Sequence, residues 1–246
     1  MTFLTAQVSD KHQRLHNEDY CDYRWQDGLG CWVVADGLGG HQGGEVASKL
    51  AVTTLMTAFL SKPELSPTAL QGYLAQAQEA LLQRQRQEPR LLGMRTTIVV
   101  LLANEAAALW GHVGDSRLYH FRHGQICSWT KDHSVPQALA NFGEIRPEEI
   151  RFHEDRHRLL RALGQENAFR PTILPDTVPF QSGDAFLLCT DGFWELVLES
   201  EMEAALAAAA EPQGWLTNMI QYLATRTQAA PDKPNDNYTA LAIIVS

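Results

Sequence analysis

The sequence predicts an α+β fold in which antiparallel sheets are covered by helices. Strand-like runs follow one another directly and are joined by hairpin turn signals, at Gln26-Asp27-Gly28 and at His123-Gly124. Helical segments come in pairs between these groups of strands, whereas a doubly wound fold would alternate one helix with one strand. Strands are predicted near the start, in the middle and at the end of the 246-residue chain. No position divides the chain cleanly, so we predict a single domain over residues 1–246.

Alternating and continuous apolar runs identify the strands. Residues 2–8 alternate well enough for a strand, and Ser9-Asp10-Lys11 interrupts the pattern. Residues 96–103 are almost continuously apolar, which is typical of a strand buried on both faces. In chain order, the predicted strands are residues 2–8, 20–25, 29–35, 96–103, 106–113, 117–122, 125–129, 184–190 and 238–245.

Helical spacing of apolar residues identifies the helices. Val46, Leu50, Leu55 and Phe59 suit one face of a helix over residues 45–60. A second helix, rich in Ala, Gln and Leu, ends before a proline. The predicted helices are residues 45–60, 68–87, 134–142, 200–210 and 214–227.

The polar segment over residues 143–158 fits neither pattern. It carries Arg146, Arg151, Arg156 and Arg158 among acids and histidines. We predict an exposed excursion from the fold. Two interpretations stay open, a flap beside a functional site and a solvated surface loop.

Composition argues against several classes of protein. The 20 basic and 29 acidic residues give a formal charge of -9, whereas a nucleic-acid-binding protein would show a basic face. The four cysteines have no close paired spacing, which argues against zinc and thioredoxin-like sites. The N-terminus lacks an apolar signal core, and no stretch is long enough to span a bilayer. We therefore expect a cytoplasmic protein with reduced thiols and with neither a membrane nor a nucleic-acid partner.

A glycine-rich stretch after one strand carries the first sign of chemistry. It reads CWVVADGLGGHQGGEVAS, and Asp36 stands at the end of the strand. A carboxylate in that position is costly unless its charge is balanced. The glycines let the backbone turn tightly and come close to a bound species. Asp36 and Gly37 are thus either ligands of a hard cation or an ordinary Asp-Gly turn.

Further acids share the position of Asp36 at strand ends. An antiparallel hairpin places the start of one strand beside the end of the next, so Glu18 and Asp19 are predicted to meet Asp36. Carboxylates, carbonyls and water are the ligands that Mg²⁺ and Mn²⁺ prefer. So many acids in one place would repel one another unless cations lay between them. The other acidic spots are Asp191-Gly192, Asp236-Asn237 and Gly114-Asp115-Ser116-Arg117.

The order of these blocks resembles a known family. They read RLHNEDY, VVADGLGGHQGGEVAS, RTTIVVLL, GHVGDSRLYHFRHG, TKDHSV, RLLRALG, FLLCTDGFWELV and DNYTALAIIV. From end to end the chain resembles the metal-dependent protein phosphatases, the type 2C serine/threonine phosphatases, in their compact bacterial form. The resemblance implies a four-layer α-β-β-α sandwich, in which two stacked antiparallel sheets are flanked by helix pairs. Residues 1–246 would then be one catalytic domain.

The resemblance also implies roles for particular residues. Asp36 would bridge two metal ions, and the Gly37 carbonyl would bind one of them. Asp191 and Asp236 would complete the first and second sites, and Glu18 would hold an ion through water. The implied metal ligands, with the third-site ligand included, are Glu18, Asp36, Gly37, Asp115, Asp191 and Asp236.

Three further roles complete the implied site. Asp115, with Asp191, would help to form a third and weaker metal site. Asp19 would orient metal-bound water, and Arg14 would bind the substrate phosphate. Arg14 suits this role because its guanidinium offers two parallel donors.

The implied function is a phosphoserine/phosphothreonine protein phosphatase dependent on Mn²⁺ or Mg²⁺. Its binuclear centre would activate a bridging water for in-line attack on the phosphate. We expect phosphorylated protein substrates, a bacterial Ser/Thr kinase as the opposing partner, and a monomer. The alternatives are a phosphoesterase of small molecules, with the same centre, and a non-catalytic phosphoprotein-binding pseudophosphatase. The second is disfavoured because every core carboxylate is present.

Two assignments stay open at the sequence level. Leu38 stands where eukaryotic members place a histidine that protonates the leaving group, so the general acid is either water or another group such as His41. Asp132 either lines the edge of the site or caps the helix that begins near Ser134, and we favour the cap.

Overall fold

The strands of the computed structural model, which describes residues 1–39, 43–166, 169–230 and 235–246, form two sheets. They are β1 (Phe3–Asp10), β2 (Asp19–Gln26), β3 (Leu29–Leu38), β4 (Arg95–Thr96), β5 (Ile98–Ala103), β6 (Ala107–Val113), β7 (Arg117–Arg122), β8 (Gln125–Trp129), β9 (Thr172–Ile173), β10 (Val178–Pro179), β11 (Ala185–Cys189) and β12 (Tyr238–Val245). One sheet has the order β1-β12-β11-β7-β8. The other has the order β10-β6-β5-β3-β2, with β4 beside β3 and β9 beside β6.

Helices cover the outer faces of the sheets in pairs. They are α1 (Gly43–Ser61), α2 (Pro67–Gln87), α3 (Val135–Asn141), α4 (Asp191–Trp194), α5 (Glu199–Ala207) and α6 (Pro212–Ala229), with 3₁₀ turns at Pro89–Leu91 and Pro147–Phe152. Helices α1 and α2 pack together over the sheet that contains β3, and α5 and α6 pack together beside the sheet that contains β12. Every strand pair in both sheets is antiparallel. The predicted α+β fold, two stacked antiparallel sheets flanked by helix pairs, is confirmed.

The side-chain alternation of β3 shows how the layers are held together. Val33 and Ala35 pack with the α1 and α2 cluster, whereas Trp32 and Val34 point into the layer between the two sheets. Phe186 from the other sheet is buried in that middle layer. Burial of each such side chain contributes roughly 1.5–3 kcal/mol. Because both faces of β3 are buried, the strand can carry its terminal acid to a fixed position.

The structure departs from the predicted elements where local sequence is a weak guide. The two-residue strands β9 and β10 are too short to show a period, and they were not predicted. The predicted strand over residues 96–103 is interrupted at Thr97. There the Thr97 hydroxyl and the Ser116 hydroxyl are hydrogen-bonded at 2.6 Å, which joins β5 to the turn that follows β6.

The segment over residues 143–158 is anchored at its centre. Ile150 and Arg151 are buried, and Arg151 Nη1 donates to the carbonyl oxygens of Trp194 and Val197 at 2.6 and 3.2 Å. The prediction of an exposed excursion is therefore wrong for this centre, because a guanidinium can be buried when carbonyl oxygens accept its hydrogen bonds. A role as a flap stays a prediction.

Within the described ranges, none of the helices is both long enough and apolar enough to cross a membrane.

Candidate metal centre

Strand ends from both sheets bring the predicted acids together. Asp19 and Asp36 lie directly opposite each other in the β2–β3 pair, as the hairpin predicts. Asp191 begins α4 two residues after β11, and Asp236 precedes β12 by two residues. Since β11 and β12 are antiparallel neighbours, with Cys189 opposite Ala240, these two acids arrive at the same edge.

Thr190 links the two sheets at this edge. Its hydroxyl accepts the Thr239 backbone N–H at 3.0 Å and donates to Asp19 Oδ2 at 2.9 Å. Thr190 directly follows β11, which is in the same sheet as Thr239 on β12. Asp19, on β2, belongs to the facing sheet. One buried hydroxyl therefore fixes the position of Asp19 relative to the segment that carries Asp191.

The backbone around Asp36 is fixed by two threonines. The Thr97 N–H and the Thr96 hydroxyl each donate to the Asp36 carbonyl oxygen at 2.8 Å. The Asp36 N–H donates to Thr97 Oγ1 at 3.0 Å. Both threonines are fully buried. The Asp36 carboxylate is thus presented from a rigid backbone, as a preorganised ligand should be.

The acids raise one another's pKa values. Burial raises the pKa of Asp36 well above its ordinary value, and the charges of Asp191, Asp19, Asp115 and Asp236 raise it further. Burial likewise raises the pKa of Asp115 well above its ordinary value, with Asp191 as the next cause. Such shifts mean that several negative charges share a site that lacks enough positive charge.

Two buried oxygen atoms show where positive charge is missing. Asp19 Oδ1 and Asp191 Oδ1 are buried, and in the described part of the chain neither has a hydrogen-bond partner. Burial raises the pKa of Asp19 to about 8, although the hydrogen bond from Thr190 opposes the shift. Unpartnered buried carboxylate oxygens are costly unless an ion or a water held by an ion contacts them. This donor set of buried carboxylates fits hard divalent cations such as Mg²⁺ and Mn²⁺.

Glycines let the backbone close tightly around the acids. A Cβ on Gly37 would stand 2.0 Å from the Gly44 carbonyl oxygen and 2.7 Å from that of Glu18. The Gly37 N–H donates to the Glu18 carbonyl oxygen at 3.1 Å. A Cβ on Gly192 would similarly lie 2.0 Å from the Asn237 carbonyl oxygen. Gly37 and Gly192, each directly after a predicted ligand, are thus required by close backbone packing.

Gly37→Ala is expected to destabilise the protein by at least about 1–3 kcal/mol, because the added methyl overlaps fixed backbone. Mn²⁺ affinity should fall with it, since Gly44 and Glu18 must move. Urea unfolding and Mn²⁺ titration measure the two effects. Gly72→Ala is the control, because Gly72 lies in α2 with nothing within 4 Å of its added Cβ. Equal stability of Gly37→Ala and wild type would contradict the packing argument.

Arg14 lies at the mouth of the centre. Its Nη2 is 3.0 Å from Asp236 Oδ2, its Nε donates to the Asn235 carbonyl at 3.2 Å, and about half of its side chain is exposed. An open cleft of about 720 Å³ adjoins it, lined also by Glu18 and Asn237. Arg14 therefore forms its ion pair with Asp236 and remains open to the cleft.

Asn237 organises the loop that carries Arg14, a role that the sequence did not reveal. Its Oδ1 accepts the Glu18 N–H at 2.9 Å, and its Nδ2 donates to the carbonyls of Lys11 and His16 at 2.9 and 3.0 Å. The only feature of the sequence that could have indicated this role is the position of Asn237 directly after Asp236. Thr190, directly before Asp191, was missed for the same reason.

Asp132 does not cap a helix. It accepts two hydrogen bonds of 2.8 Å from the buried guanidinium of Arg117, and Ser134 caps α3.

His133 lies beside Gly114, whose N–H donates to His133 Nδ1 at 3.1 Å. Burial lowers the pKa of His133 to about 3, so the ring is a neutral acceptor that supports the turn before Asp115. His41 lies outside the described residues.

The chain is similar in sequence to known bacterial phosphatases. The family model described as protein phosphatase 2C matches residues 6–232, and the chain belongs to this family. The serine/threonine phosphatase Stp of Listeria monocytogenes is 36% identical over 200 residues, which are 78% of each chain. The protein phosphatase PhpP of Streptococcus pneumoniae is 30% identical over 203 residues, 81% of each chain. The predicted family is confirmed.

Solved structures of relatives agree with this assignment. The Mycobacterium tuberculosis serine/threonine phosphatase PstP/Ppp superposes with a TM-score of 0.85 at 30% identity, covering 100% of both chains. The catalytic domain of PstP in complex with two manganese ions gives a TM-score of 0.81 at 30% identity, covering 99% of both. The predicted class of enzyme, a metal-dependent serine/threonine protein phosphatase, is thereby confirmed.

Proposed function

We propose that this chain removes phosphate from phosphoserine and phosphothreonine in proteins at the acidic centre described above. The observation that carries the proposal is the convergence of buried acids from both sheets, with unpartnered oxygens on Asp19 and Asp191. Asp36, the Gly37 carbonyl, Asp191 and Asp236 would hold two divalent cations. Cations bound there supply Lewis-acid activation of water and neutralise charge on the phosphate.

Glu18, Asp115 and Asp19 have supporting roles in this proposal. Glu18 would hold a cation through water, and burial raises the pKa of its carboxyl group above the ordinary value. Asp115 would contribute to a third, weaker cation site with Asp191. Asp19 Oδ2 is engaged by Thr190, so Oδ1 is the atom left to accept a hydrogen bond from the attacking water. Asp19 thereby orients the water for attack in line with the leaving group.

Arg14 would bind the substrate phosphate at the entrance. Its guanidinium is held next to Asp236 but remains half exposed, so an incoming phosphate can reach its donors. Planar guanidinium groups bind phosphate oxygens bidentately. Its bond to the Asn235 carbonyl orients the group before substrate arrives. Leu38 occupies the sequence position at which eukaryotic members have the histidine that protonates the leaving group. We therefore assign protonation of the leaving group to water.

Phosphate release from a phosphothreonine peptide tests the function. The protein is stripped with EDTA, and Mn²⁺ or Mg²⁺ is then returned. We expect turnover only after a metal is added, and faster turnover of the peptide than of a small phosphate monoester. Turnover that persists in EDTA would contradict the mechanism. Preference for the small ester would instead favour a metabolite phosphoesterase with the same centre.

Arg14→Ala is expected to raise the KM for a phosphothreonine peptide about tenfold to a hundredfold, since hydrogen bonds to charged groups are worth about 1.5–3 kcal/mol. Metal binding should not weaken, because the change removes a positive charge from beside Asp236. Steady-state kinetics over a range of peptide concentrations measures the effect. Arg24→Ala is the matched control, because Arg24 is exposed on β2 and pairs with Asp22 away from the cleft. An unchanged KM for Arg14→Ala would remove Arg14 from phosphate binding.

The finer aspects of function are also proposals. We propose that the protein opposes a bacterial Ser/Thr kinase in the cytoplasm, acts as a monomer and works with either Mn²⁺ or Mg²⁺. The bacterial relatives named serine/threonine phosphatase and protein phosphatase support the assignment of phosphoproteins as substrates. Phosphoproteomes of cells with and without the enzyme would identify those substrates.

A further inference from the structure

A cysteine, a histidine and an aspartate form a hydrogen-bonded row away from the acidic centre. Cys127 Sγ lies 3.3 Å from His120 Nδ1, and His120 Nε2 lies 2.9 Å from Asp184 Oδ2. Asp184 directly precedes β11 and Asp191 follows it, so roughly 20 Å of strand separates the row from the acidic centre. A nucleophile, a base and a group that orients the base stand in this order in sites of covalent catalysis.

A β-bulge turns Cys127 toward the histidine. In the β7–β8 pair His120 is opposite Ser128. The next residue of β7 is opposite Ile126, so Cys127 is an extra residue without a partner in β7. Bulges re-aim side chains and are frequent beside active sites. Here the bulge brings the sulfur to His120 while Cys127 stays exposed, so an external reagent can reach it.

The buried acid determines which nitrogen of His120 faces the thiol. Asp184 is fully buried. Although burial alone would raise the pKa of its carboxyl group, hydrogen bonds from Arg122 and His120 hold that pKa below the ordinary value. An ionised carboxylate only accepts, so His120 Nε2 carries the hydrogen and Nδ1 offers its lone pair to Cys127. The Phe186 ring stacks on the imidazole, with the ring centroids 4.6 Å apart, and holds this orientation.

The cysteine and the histidine are both uncharged at rest. Burial raises the pKa of Cys127 above its ordinary value, and the charge of Arg122 opposes the shift. Burial lowers the pKa of His120, and the hydrogen bond to Asp184 opposes that shift. The thiol therefore keeps its hydrogen until an electrophile arrives. His120 then acts as a base during the attack, and no standing thiolate is needed.

We propose that Cys127 is a nucleophile activated by His120 and Asp184, and that it is a site of covalent modification by low-molecular-weight disulfides. Its Sγ attacks one sulfur of the disulfide while the thiol proton passes to His120 Nδ1. A new S–S bond forms at Cys127 as the S–S bond of the reagent breaks, and the leaving thiolate takes the proton from His120. Cys127 is oxidised to a mixed disulfide, and the other half of the reagent is reduced to a thiol.

Thiol release from the aromatic disulfide dithiobis(nitrobenzoate) tests the proposal on the wild-type protein, with mass spectrometry to identify the modified cysteine. We expect Cys127 to react at least about tenfold faster in the folded protein than in the chain unfolded in urea. A positioned base contributes roughly 10²–10⁴-fold, and burial of the thiol offsets part of that gain. Cys127→Ser should abolish the fast reaction, whereas Cys21→Ser should not. Folded Cys127 that reacts no faster than unfolded Cys127 would overturn the proposal.

His120→Gln separates base catalysis from mere exposure of the thiol. Glutamine keeps an N–H for Asp184 but cannot take a proton from Cys127, so we expect the rate of mixed-disulfide formation to fall about a hundredfold. His123→Asn is the matched control, because His123 is exposed in the same hairpin and its left-handed backbone suits asparagine. This control should keep the wild-type rate.

An unchanged rate in folded His120→Gln would overturn the proposal, and so would an equal loss of rate in His123→Asn. Urea unfolding establishes that each variant is folded. If His120→Gln does not fold, the comparison of folded with unfolded wild type decides by itself. Neither measurement depends on metal or on phosphate release, because Cys127, His120 and Asp184 lie outside the acidic centre.

Discussion

Asp36→Asn is expected to lower phosphate release by at least about a thousandfold, since even loss of one preorganised donor at a reacting centre costs roughly 10²–10³-fold. Asp36 lies at the focus of the acidic cluster, where the charges of Asp191, Asp19, Asp115 and Asp236 all act on its carboxylate. An amide of the same shape has one neutral oxygen and cannot bridge two cations as a carboxylate can. Phosphate release from a phosphothreonine peptide at saturating Mn²⁺ measures the loss.

The same change is expected to stabilise the metal-free protein. The raised pKa of Asp36 means that its ionised form destabilises the folded state when no cation is bound. Asparagine removes that charge, so the metal-free variant should unfold at a higher urea concentration than wild type. With Mn²⁺ present the order should reverse, because wild type binds the ions more tightly and gains more binding energy.

Asp27→Asn is the control for both effects, because Asp27 is exposed in the β2–β3 turn and its left-handed backbone suits asparagine equally well. It should leave activity and both unfolding curves unchanged. Asp36→Asn with normal turnover, or with a metal-free form less stable than wild type, would show that Asp36 is a structural turn acid.

Asp132→Ala is expected to reduce the free energy of unfolding by about 3–5 kcal/mol, because the buried Arg117 guanidinium loses its bidentate partner and keeps only Glu199, at 3.5 Å, as a carboxylate partner. The Arg117 side chain is 6% exposed and that of Asp132 is 1% exposed. Arg117 also stacks 3.5 Å from the ring centroid of Trp194. Urea unfolding of the metal-free protein measures the effect.

Asp132→Ala is also expected to disturb the acidic centre. Trp194 Nε1 donates to the Asp115 carbonyl at 2.9 Å, so a displaced Arg117 would disturb the turn that carries Asp115. Arg117→Met with Asp132→Leu should recover most of the stability, since a buried ion pair can be replaced by apolar side chains of similar volume. Glu79→Ala breaks an exposed pair with Arg86 and should have little effect. A loss below about 1 kcal/mol in Asp132→Ala would mean that water reaches Arg117.

The sequence pattern predicts antiparallel sheets covered by helices and the meeting of Asp19 with Asp36, because both depend on short-range rules. A two-strand hairpin around Gln26-Asp27-Gly28 determines which ends meet, and helical spacing determines which helix face is buried. The boundaries of β7, β8 and β12 follow the prediction for the same reason.

Tertiary partners decide the features that the sequence does not show. Asp132 and Ser134 are both good caps, and only the buried Arg117 determines which one caps α3. Arg151 belongs to a polar run, yet it is buried because Trp194 and Val197 offer carbonyls from distant sequence. His157 Nδ1 lies 3.7 Å from Asp191 Oδ2, but the two residues are far apart along the chain, so no local pattern links them.

Anomalous diffraction from crystals grown with Mn²⁺ tests the central claim, that strand-end acids of both sheets form one divalent-cation centre. Data collected on the two sides of the manganese absorption edge locate the ions without reference to the protein. We expect two strong peaks that share the Asp36 carboxylate, with Asp191 and Asp236 as the other protein carboxylates in contact. Two results at saturating Mn²⁺ would contradict the claim. They are manganese peaks that do not contact the Asp36 carboxylate, and the absence of any peak beside the strand-end acids.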